Sequence, residues 1–460
     1  MGFTYHPPTG RECSVCAGLM ANSATPLVDN GKGKASSAAD FAIHNWYNFV
    51  LGYSPEFPNY FLARESATRA DLVVDPFMGA GTTLVCCKYQ GIPSKGIDAN
   101  DFMVDAARVK LHWQLDTSEL RQRKDEILER AYHSADEVGW NTGDAVSQAA
   151  LWDDPDKEPY HTYAERLRPY MLPERYMSDR PFAKSKIIEE AIKRVVADRH
   201  ERDLFSLALW SILLRVSNVR YGPGFGVIVP RRDADVLGIF SSKVDRMIED
   251  LECLTKDQRD TPSDVALGDT RNLGRLLAPE SASLMITSPP YPGDHEYTKH
   301  TRVELAFRGA VGSRDDLRTI KRRMLQASTT NIYRDLDDSD AVGGIVSIKE
   351  ISDLIHERLV HDGATSGFEK LYTKLVWQYF GGMSKCLEEV HRVLKAKGKI
   401  GLLVSDSHAF KMVHIQTAEI LREIGVRLGF INPEIILWQL KTSTSHKYHL
   451  RENILVLQKP

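Results

Sequence analysis

The sequence predicts an α/β fold: a mostly parallel sheet of seven strands, interrupted by a long helical insertion. Three observations predict it. Short apolar runs alternate with helical segments toward both ends of the chain, as in a parallel sheet covered by helices. A glycine-rich turn sits between the first apolar run and the helix after it. Between residues 115 and 260 the alternation gives way to charged helical sequence.

The elements follow in order. Asp71-Leu-Val-Val-Asp75 reads as a strand, Pro76-Phe-Met-Gly-Ala-Gly81 as the turn, and Thr82 to Gln90 as a helix. Ser94 to Asp98 is a second strand, and residues 101–113 form a second helix. The block 115–260 holds the helical stretches TSELRQRKDEILERAYHSADEV and AKSKIIEEAIKRVVADRHERD. Phe205 to Val216 is apolar enough to be a buried helix, and Tyr221-Gly-Pro-Gly-Phe-Gly226 breaks the pattern. This block is an insertion into the sheet domain or a domain packed against it.

Alternation resumes with the strands Val265 to Asp269 and Ser283 to Thr287. A polar excursion covers 295–367, and its part at about 310–367 competes with the block 115–260 as a region that reads a target. A helix over 368–395 leads through Lys397-Gly-Lys399 to the strand Ile400 to Ser405, then a helix near 413–428. Glu434 to Leu440 and Asn453 to Gln458 close the sheet, with a polar hairpin loop between them. The expected organisation is therefore a flexible arm over 1–39, a cofactor-binding part over 40–114, the insertion over 115–260, and a second part over 261–460.

The chain has 460 residues, is 42% hydrophobic and 26% charged, and carries a formal net charge of −3. That composition is ordinary for a globular protein, so any contact with a polyanion has to come from a local basic patch. The 6 cysteines are too sparse for a disulfide scaffold and fit a reducing, cytoplasmic setting. The N-terminal residues lack the pattern of a signal peptide, and no apolar run is long enough to span a bilayer. Cys13-Ser-Val-Cys16 has no second ligand pair at suitable spacing, so no metal site is expected.

Two motifs carry chemistry. The first is Asp75-Pro-Phe77-Met-Gly79-Ala-Gly81-Thr82-Thr83. Glycines after a strand let the backbone approach a ligand, and the helix start offers free N–H groups. Asp98 ends the next strand, where an acid can accept hydrogen bonds from ribose hydroxyls. That combination alone fits NAD, FAD or S-adenosylmethionine. The second motif is Thr287-Ser288-Pro289-Pro290-Tyr291. Its prolines stiffen the backbone and remove donors, leaving the Pro289 carbonyl as an acceptor beside the Ser288 hydroxyl. Two acceptors and an aromatic face suit a planar base bearing an amino group. Accepting both N–H bonds would favour a more pyramidal, more nucleophilic nitrogen.

Together, DPFMGAGTT and TSPPY resemble the amino-methyltransferases of DNA. The resemblance implies a Rossmann-like class I methyltransferase that binds S-adenosylmethionine at the first motif and receives a flipped base at the second. The serine form, with Ser288 in the first position, is typical of the cytosine-N4 branch. Ser54-Pro55-Glu-Phe57-Pro58 resembles the family's segment next to the cofactor's methionine end. Asp98 matches the ribose acid and Gly268-Asp269 the segment near the adenine ring. LEEVHRVLKAKG and Arg451 to Leu457 resemble later family segments. The likeness covers roughly 45–112, 264–309 and 368–460.

What this implies is direct, in-line transfer of a methyl group to the N4 amine of cytosine. Ser288, Pro289, Pro290 and Tyr291 would be the catalytic residues. Pro55, Phe57, Asp75, Phe77, Gly79, Gly81, Thr82, Thr83, Asp98, Asp269 and Ser288 would bind the cofactor. No Pro-Cys pair occurs, which sets aside the 5-position cytosine enzymes with their cysteine nucleophile. Double-stranded DNA is the expected partner, with the target base flipped out. A cognate restriction endonuclease is implied by family analogy, as is a prokaryotic cytoplasm with association to the nucleoid.

Lys299, Arg302, Arg308, Arg314, Arg318, Lys321, Arg322 and Arg323 form the favoured basic patch after the base pocket. Arg215, Arg220, Arg231 and Arg232 make a second, and Lys441, His446, Lys447, His449 and Arg451 a third. His295, Glu296 and Tyr297 directly follow the pocket. Adenine-N6 or RNA-base amino methylation is the nearest alternative. A non-catalytic nucleic-acid-binding subunit that keeps the fold is the alternative of another class. A nucleotide-cofactor oxidoreductase would leave TSPPY unexplained.

Overall fold

The computed structural model describes residues 42–137, 159–221, 225–293, 296–363, 366–367, 369–442 and 449–460. The arm with Cys13 and Cys16, His295, and the loop holding His446 and Lys447 lie outside the described residues.

In chain order, α1 (Glu56–Arg64) precedes β1 (Val73–Asp75), α2 (Thr82–Tyr89), β2 (Ser94–Asp98) and α3 (Asp101–Leu111). The insertion supplies α4 (Thr117–Glu137), α5 (Pro159–Leu167), α6 (Asp179–Val195) and α7 (Arg199–Val216). It continues through a small antiparallel pair, β3 (Val219–Tyr221) and β4 (Phe225–Val227), to α8 (Val236–Glu252) and α9 (Lys256–Asp260). Then come β5 (Ser263–Leu267), β6 (Ala282–Thr287), α10 (Arg302–Phe307), α11 (Arg314–Arg323), α12 (Val346–His361) and α13 (Tyr372–Val393). The chain closes with β7 (Leu394–Ser405), the pair β8 (Ser407–Ala409) and β9 (Val413–Ile415), α14 (Thr417–Arg427), β10 (Ile431–Thr442) and β11 (His449–Gln458).

Seven strands form one sheet in the order β10-β11-β7-β6-β1-β2-β5. The run from β7 to β5 is parallel throughout, whereas β11 pairs antiparallel with both β7 and β10. The sheet is thus mixed: β11 alone runs against the other six strands. Side chains alternate across it as the pleat requires. Val73, Leu284, Ile286, Leu403 and Ile454 pack with Phe57 and Phe61 of α1 and with Cys86 and Cys87 of α2. Val74, Met285, Leu402, Leu455 and Leu457 face a core built with α13 and α14.

The insertion has its own apolar core around Phe182, Phe205 and Phe240, continuous with α3 through Phe102 and Met103. The polar excursion is divided between the two cores. Val303, Leu305 and Phe307 of α10, with Leu317 and Ile320 of α11, join the helical core. Leu325, Val342, Ile348 and Ile355 join the core under the sheet. A segment that reads as polar therefore packs on both sides of the cleft.

β1 lies between β2 on one side and β6 on the other, and chain order reverses there. In an open parallel sheet, ligands bind beyond the carboxyl ends of the strands at such a reversal. Asp75, Asp98 and Thr287 are the last residues of β1, β2 and β6.

Candidate active site

Asp75 is fully buried and ties three segments together. Its carboxylate accepts from the Tyr53 hydroxyl at 2.6 Å, the Thr287 hydroxyl at 2.6 Å and the Phe77 N–H at 3.1 Å. Burial pushes its pKa up to about 6 against the pull of those donors. The chain then turns through Gly79 at φ +51° and Gly81 at φ +84°, left-handed conformations that favour glycine. A Cβ at Gly79 would meet nothing within 4 Å, while one at Gly81 would lie 3.1 Å from the Ala107 Cβ. Gly79 therefore borders open space and Gly81 a tight helix contact.

Asp98 accepts from the Gly79 N–H at 2.9 Å and the Asn100 N–H at 2.8 Å, one bond on each oxygen. Burial raises its pKa to about 6, opposed by those two backbone donors. Asn100 caps α3 by accepting from the Phe102 N–H. Across the cleft, Asp269 is held by the Arg271 guanidinium at 2.7 Å, and Arg271 also reaches Asp338 at 2.7 Å.

The Ser288 hydroxyl donates to the Leu403 carbonyl of β7 at 3.0 Å and lies 3.2 Å from the Tyr291 hydroxyl. The Pro290 carbonyl accepts from Tyr379 of α13 at 2.8 Å. Among the described residues, no donor engages the Pro289 carbonyl. The Tyr291 hydroxyl donates to Glu452 of β11 at 3.1 Å. Burial, together with the charge of Glu452, keeps the Tyr291 phenol well above its ordinary pKa.

One continuous cleft joins the two motifs. Pro55, Phe77, Gly79, Thr82, Asp98, Asp269 and Ser288 line it, as do Pro289, Pro290 and Tyr291. Phe57, Asp75, Gly81 and Thr83 do not. Phe57 packs in the core against Tyr53 and Trp438. Thr83 is buried and donates to the Ile286 carbonyl at 3.2 Å. These four residues shape the cleft from behind.

Most of the basic residues after the pocket are engaged inside the protein. Arg308 pairs with Asp105 and lies over the Trp210 ring. Lys321, Lys299 and Arg302 converge on buried Glu296 at 2.7, 3.4 and 3.6 Å. Burial alone would raise Glu296, but Lys321 and its neighbours hold it down at about 2. Arg323 binds Asp101 at 2.7 Å and borders the cleft. Arg314, Arg318 and Arg322 are exposed, the last two carrying surface ion pairs with Asp315 and Asp335.

Several cleft residues escaped sequence reasoning. Tyr53, Asn100, Arg271 and Lys110 line the cleft. Lys110 is buried, donates to the His44 carbonyl at 3.3 Å, and is lowered to about 7 by burial and then by Lys243. Tyr297, which the sequence places directly after the second motif, lines the cleft as well. Among the described residues, no group of three or more His, Cys, Asp or Glu is placed to hold a metal ion. No helix among them is long and apolar enough to cross a membrane.

The fold and cleft define a mixed α/β domain in which the glycine loop after β1 and the proline-stiffened loop after β6 line one cleft. No family model matches the chain. Its curated relatives are Type II methyltransferases by name. The Type II methyltransferase M.MjaII of Methanocaldococcus jannaschii is 36% identical over 102 residues, covering 22% of this chain and 18% of that protein. M.BsoBI of Geobacillus stearothermophilus is 39% identical over 57 residues, 12% of this chain and 11% of that one. M.AvaI of Nostoc sp. is 22% identical over 429 residues, 86% of this chain and 80% of that protein. A solved structure described as a DNA modification methylase of Thermus thermophilus overlaps 42% of this chain and 51% of its own. Its 18% identity and TM-score of 0.20 are too low to bear on the fold. The chain is thus similar to Type II methyltransferases, and its matches span less than a fifth of the length of the first two.

Proposed function

We propose that this protein is a Rossmann-like, S-adenosylmethionine-dependent DNA methyltransferase that modifies the exocyclic N4 amine of cytosine. One observation carries the choice of an amine. The Ser288 hydrogen is committed to the Leu403 carbonyl, which leaves the oxygen's lone pairs as acceptors near the unengaged Pro289 carbonyl. An amino group bonded to both would have its lone pair drawn out of ring conjugation. Tyr291 supplies the aromatic face. The choice of cytosine rests on the serine form of the motif.

The cleft fits the cofactor on two features. Each Asp98 oxygen keeps a lone pair beyond its backbone bond, and the space beside Gly79 is open. Asp98 would accept the ribose hydroxyls, Gly79 and Thr82 would border the donor's aminoacyl end with Pro55, and Phe77 and Asp269 would flank the adenine. The bound cofactor supplies an electrophilic methyl group. This chain's residues orient the amine in line with it and exclude water. A base inside a duplex cannot reach Ser288, so the target nucleotide has to be flipped out. Exposed Arg314, Arg318 and Arg322 are the members of the favoured patch best placed to meet phosphates.

Labelled-methyl transfer to unmethylated genomic DNA, followed by nucleoside mass analysis, tests this directly. N4-methylcytosine is expected. N6-methyladenine would move the reaction to the other base, and label in RNA alone would move it to another polymer. Ser288→Ala should cut transfer about 100-fold with nearly intact cofactor binding, while Asp98→Ala should weaken cofactor binding first. Equal loss of cofactor binding in both variants would refute the two-site assignment.

A further inference from the structure

Behind the base pocket lies a buried carboxylate that positioning of Tyr291 alone does not require. Glu452 is 2% exposed and sits on β11, paired in the sheet with Ser405 of β7 and Gln439 of β10. It accepts from the Tyr291 hydroxyl at 3.1 Å, from Lys441 at 2.6 Å and from the Gln439 side chain. A neutral acceptor would fix the Tyr291 hydroxyl equally well, without the cost of burying a charge.

Its surroundings form a path. Ser288 Oγ lies 3.2 Å from Tyr291 Oη, which lies 3.1 Å from Glu452 Oε1. Lys441, on the far side of Glu452, has half its side chain exposed to solvent. The nearest charged groups along β11 and β7 are Asp406, just after β7, with Arg451 3.6 Å and His414 3.2 Å from it.

We propose that Glu452 is the terminal acceptor of a proton relay running from the target amine through Ser288 and Tyr291. The inference rests on the amine-methylation reading. When the N–C bond forms and the C–S bond breaks, its electron pair stays on sulfur and the base nitrogen is left cationic, with one surplus proton. That proton passes to Ser288 Oγ as the serine hydrogen turns from Leu403 toward Tyr291 Oη. Tyr291 passes its own proton to Glu452. Both hydroxyls end neutral, the base ends neutral, and protonated Glu452 releases its proton to solvent beside Lys441. Glu452 acts through Tyr291 and is a positioning and proton-accepting residue, without contact to the base.

The test is single-turnover transfer from tritiated S-adenosylmethionine to unmethylated genomic DNA, measured from pH 6 to 9. Glu452→Gln should slow the transfer step at least tenfold, with cofactor and DNA affinities within twofold of wild type. Its rate should climb with pH as hydroxide replaces the lost acceptor, and Glu452→Asp should recover most of the rate. Tyr291→Phe leaves the Glu452–Lys441 pair intact and should cause a similar loss. The double variant should be no slower than either single one, because each breaks the same path. Wild-type rates and an unchanged pH profile in both single variants would overturn the relay while leaving methylation standing. Wild-type protein that transfers no label would overturn both.

Discussion

The affinity of the cleft for S-adenosylmethionine should fall in mild acid, and Asp98 should be the reason. The buried Asp98 carboxyl titrates at about 6, and only its ionised form offers lone pairs to two ribose hydroxyls without a competing proton. If the ionised form alone binds, the apparent Kd scales as 1 + 10^(6−pH). It is then nearly constant above pH 7 and rises about elevenfold at pH 5, or ~1.4 kcal/mol. Stability of the empty protein moves the other way. A carboxylate whose folded pKa exceeds its unfolded value is penalised above the folded pKa and relieved below the unfolded one. For Asp98 that penalty is about 3 kcal/mol above pH 6 and vanishes toward pH 4. Asp98→Asn should lower affinity about tenfold to hundredfold at pH 7.5 and flatten its pH dependence. Titration calorimetry at fixed ionic strength between pH 5 and 8 reads both. A flat wild-type profile, or an Asp98→Asn variant that still weakens in acid, would refute the reasoning.

Two further outcomes follow from the packing around the cleft. Lys110 is held down at about 7, so its charge is penalised by about 5 kcal/mol below pH 7, and the penalty disappears above pH 10. Lys110→Met should gain several kcal/mol in urea unfolding at pH 6.5, less about 1 kcal/mol for the bond to the His44 carbonyl, and little at pH 10. Equal gains at both values would point to packing instead of charge. Gly401 lies on β7 against the buried Phe61 ring, and a Cβ there would come within 2.8 Å of it. Gly401→Ala should cost about 1–3 kcal/mol by overpacking, recovered in part when Phe61→Leu makes room; calorimetric melting of the single and double variants checks this.

The strands and both motifs were legible because each rests on local pattern. Val73, Val74 and Ser283 to Thr287 are short apolar runs, and Gly79 and Gly81 sit where the turn needs positive φ. The second wall of the cleft was not legible. Arg271 reads as an ordinary surface arginine, yet its side chain is 7% exposed and clamps Asp269 to Asp338, 67 residues further on. Glu452 reads as the polar member of an alternating strand, and only the fold sets Tyr291 against it. The internal pairing of the basic patch was not legible for the same reason. Counting arginines and lysines after the pocket ignores the acids they meet, and Glu296 gathers three of those cations by itself.

Asp75 explains why two motifs so far apart in sequence behave as one device. Thr287, the residue before Ser288, donates to one Asp75 oxygen across 212 positions, and Tyr53 donates to the other. Thr83, at the start of α2, binds both the Tyr53 hydroxyl and the carbonyl of Ile286. The glycine loop, the segment before α1 and the serine-proline loop thus hang from one buried carboxylate at the reversal point of the sheet. A shift of the Asp75 side chain would move the glycine loop and the Ser288 loop, the proposed cofactor wall and amine acceptor, together. In-line transfer needs the distance between those two walls to stay fixed, and a shared buried anchor holds it more rigidly than two surface loops could.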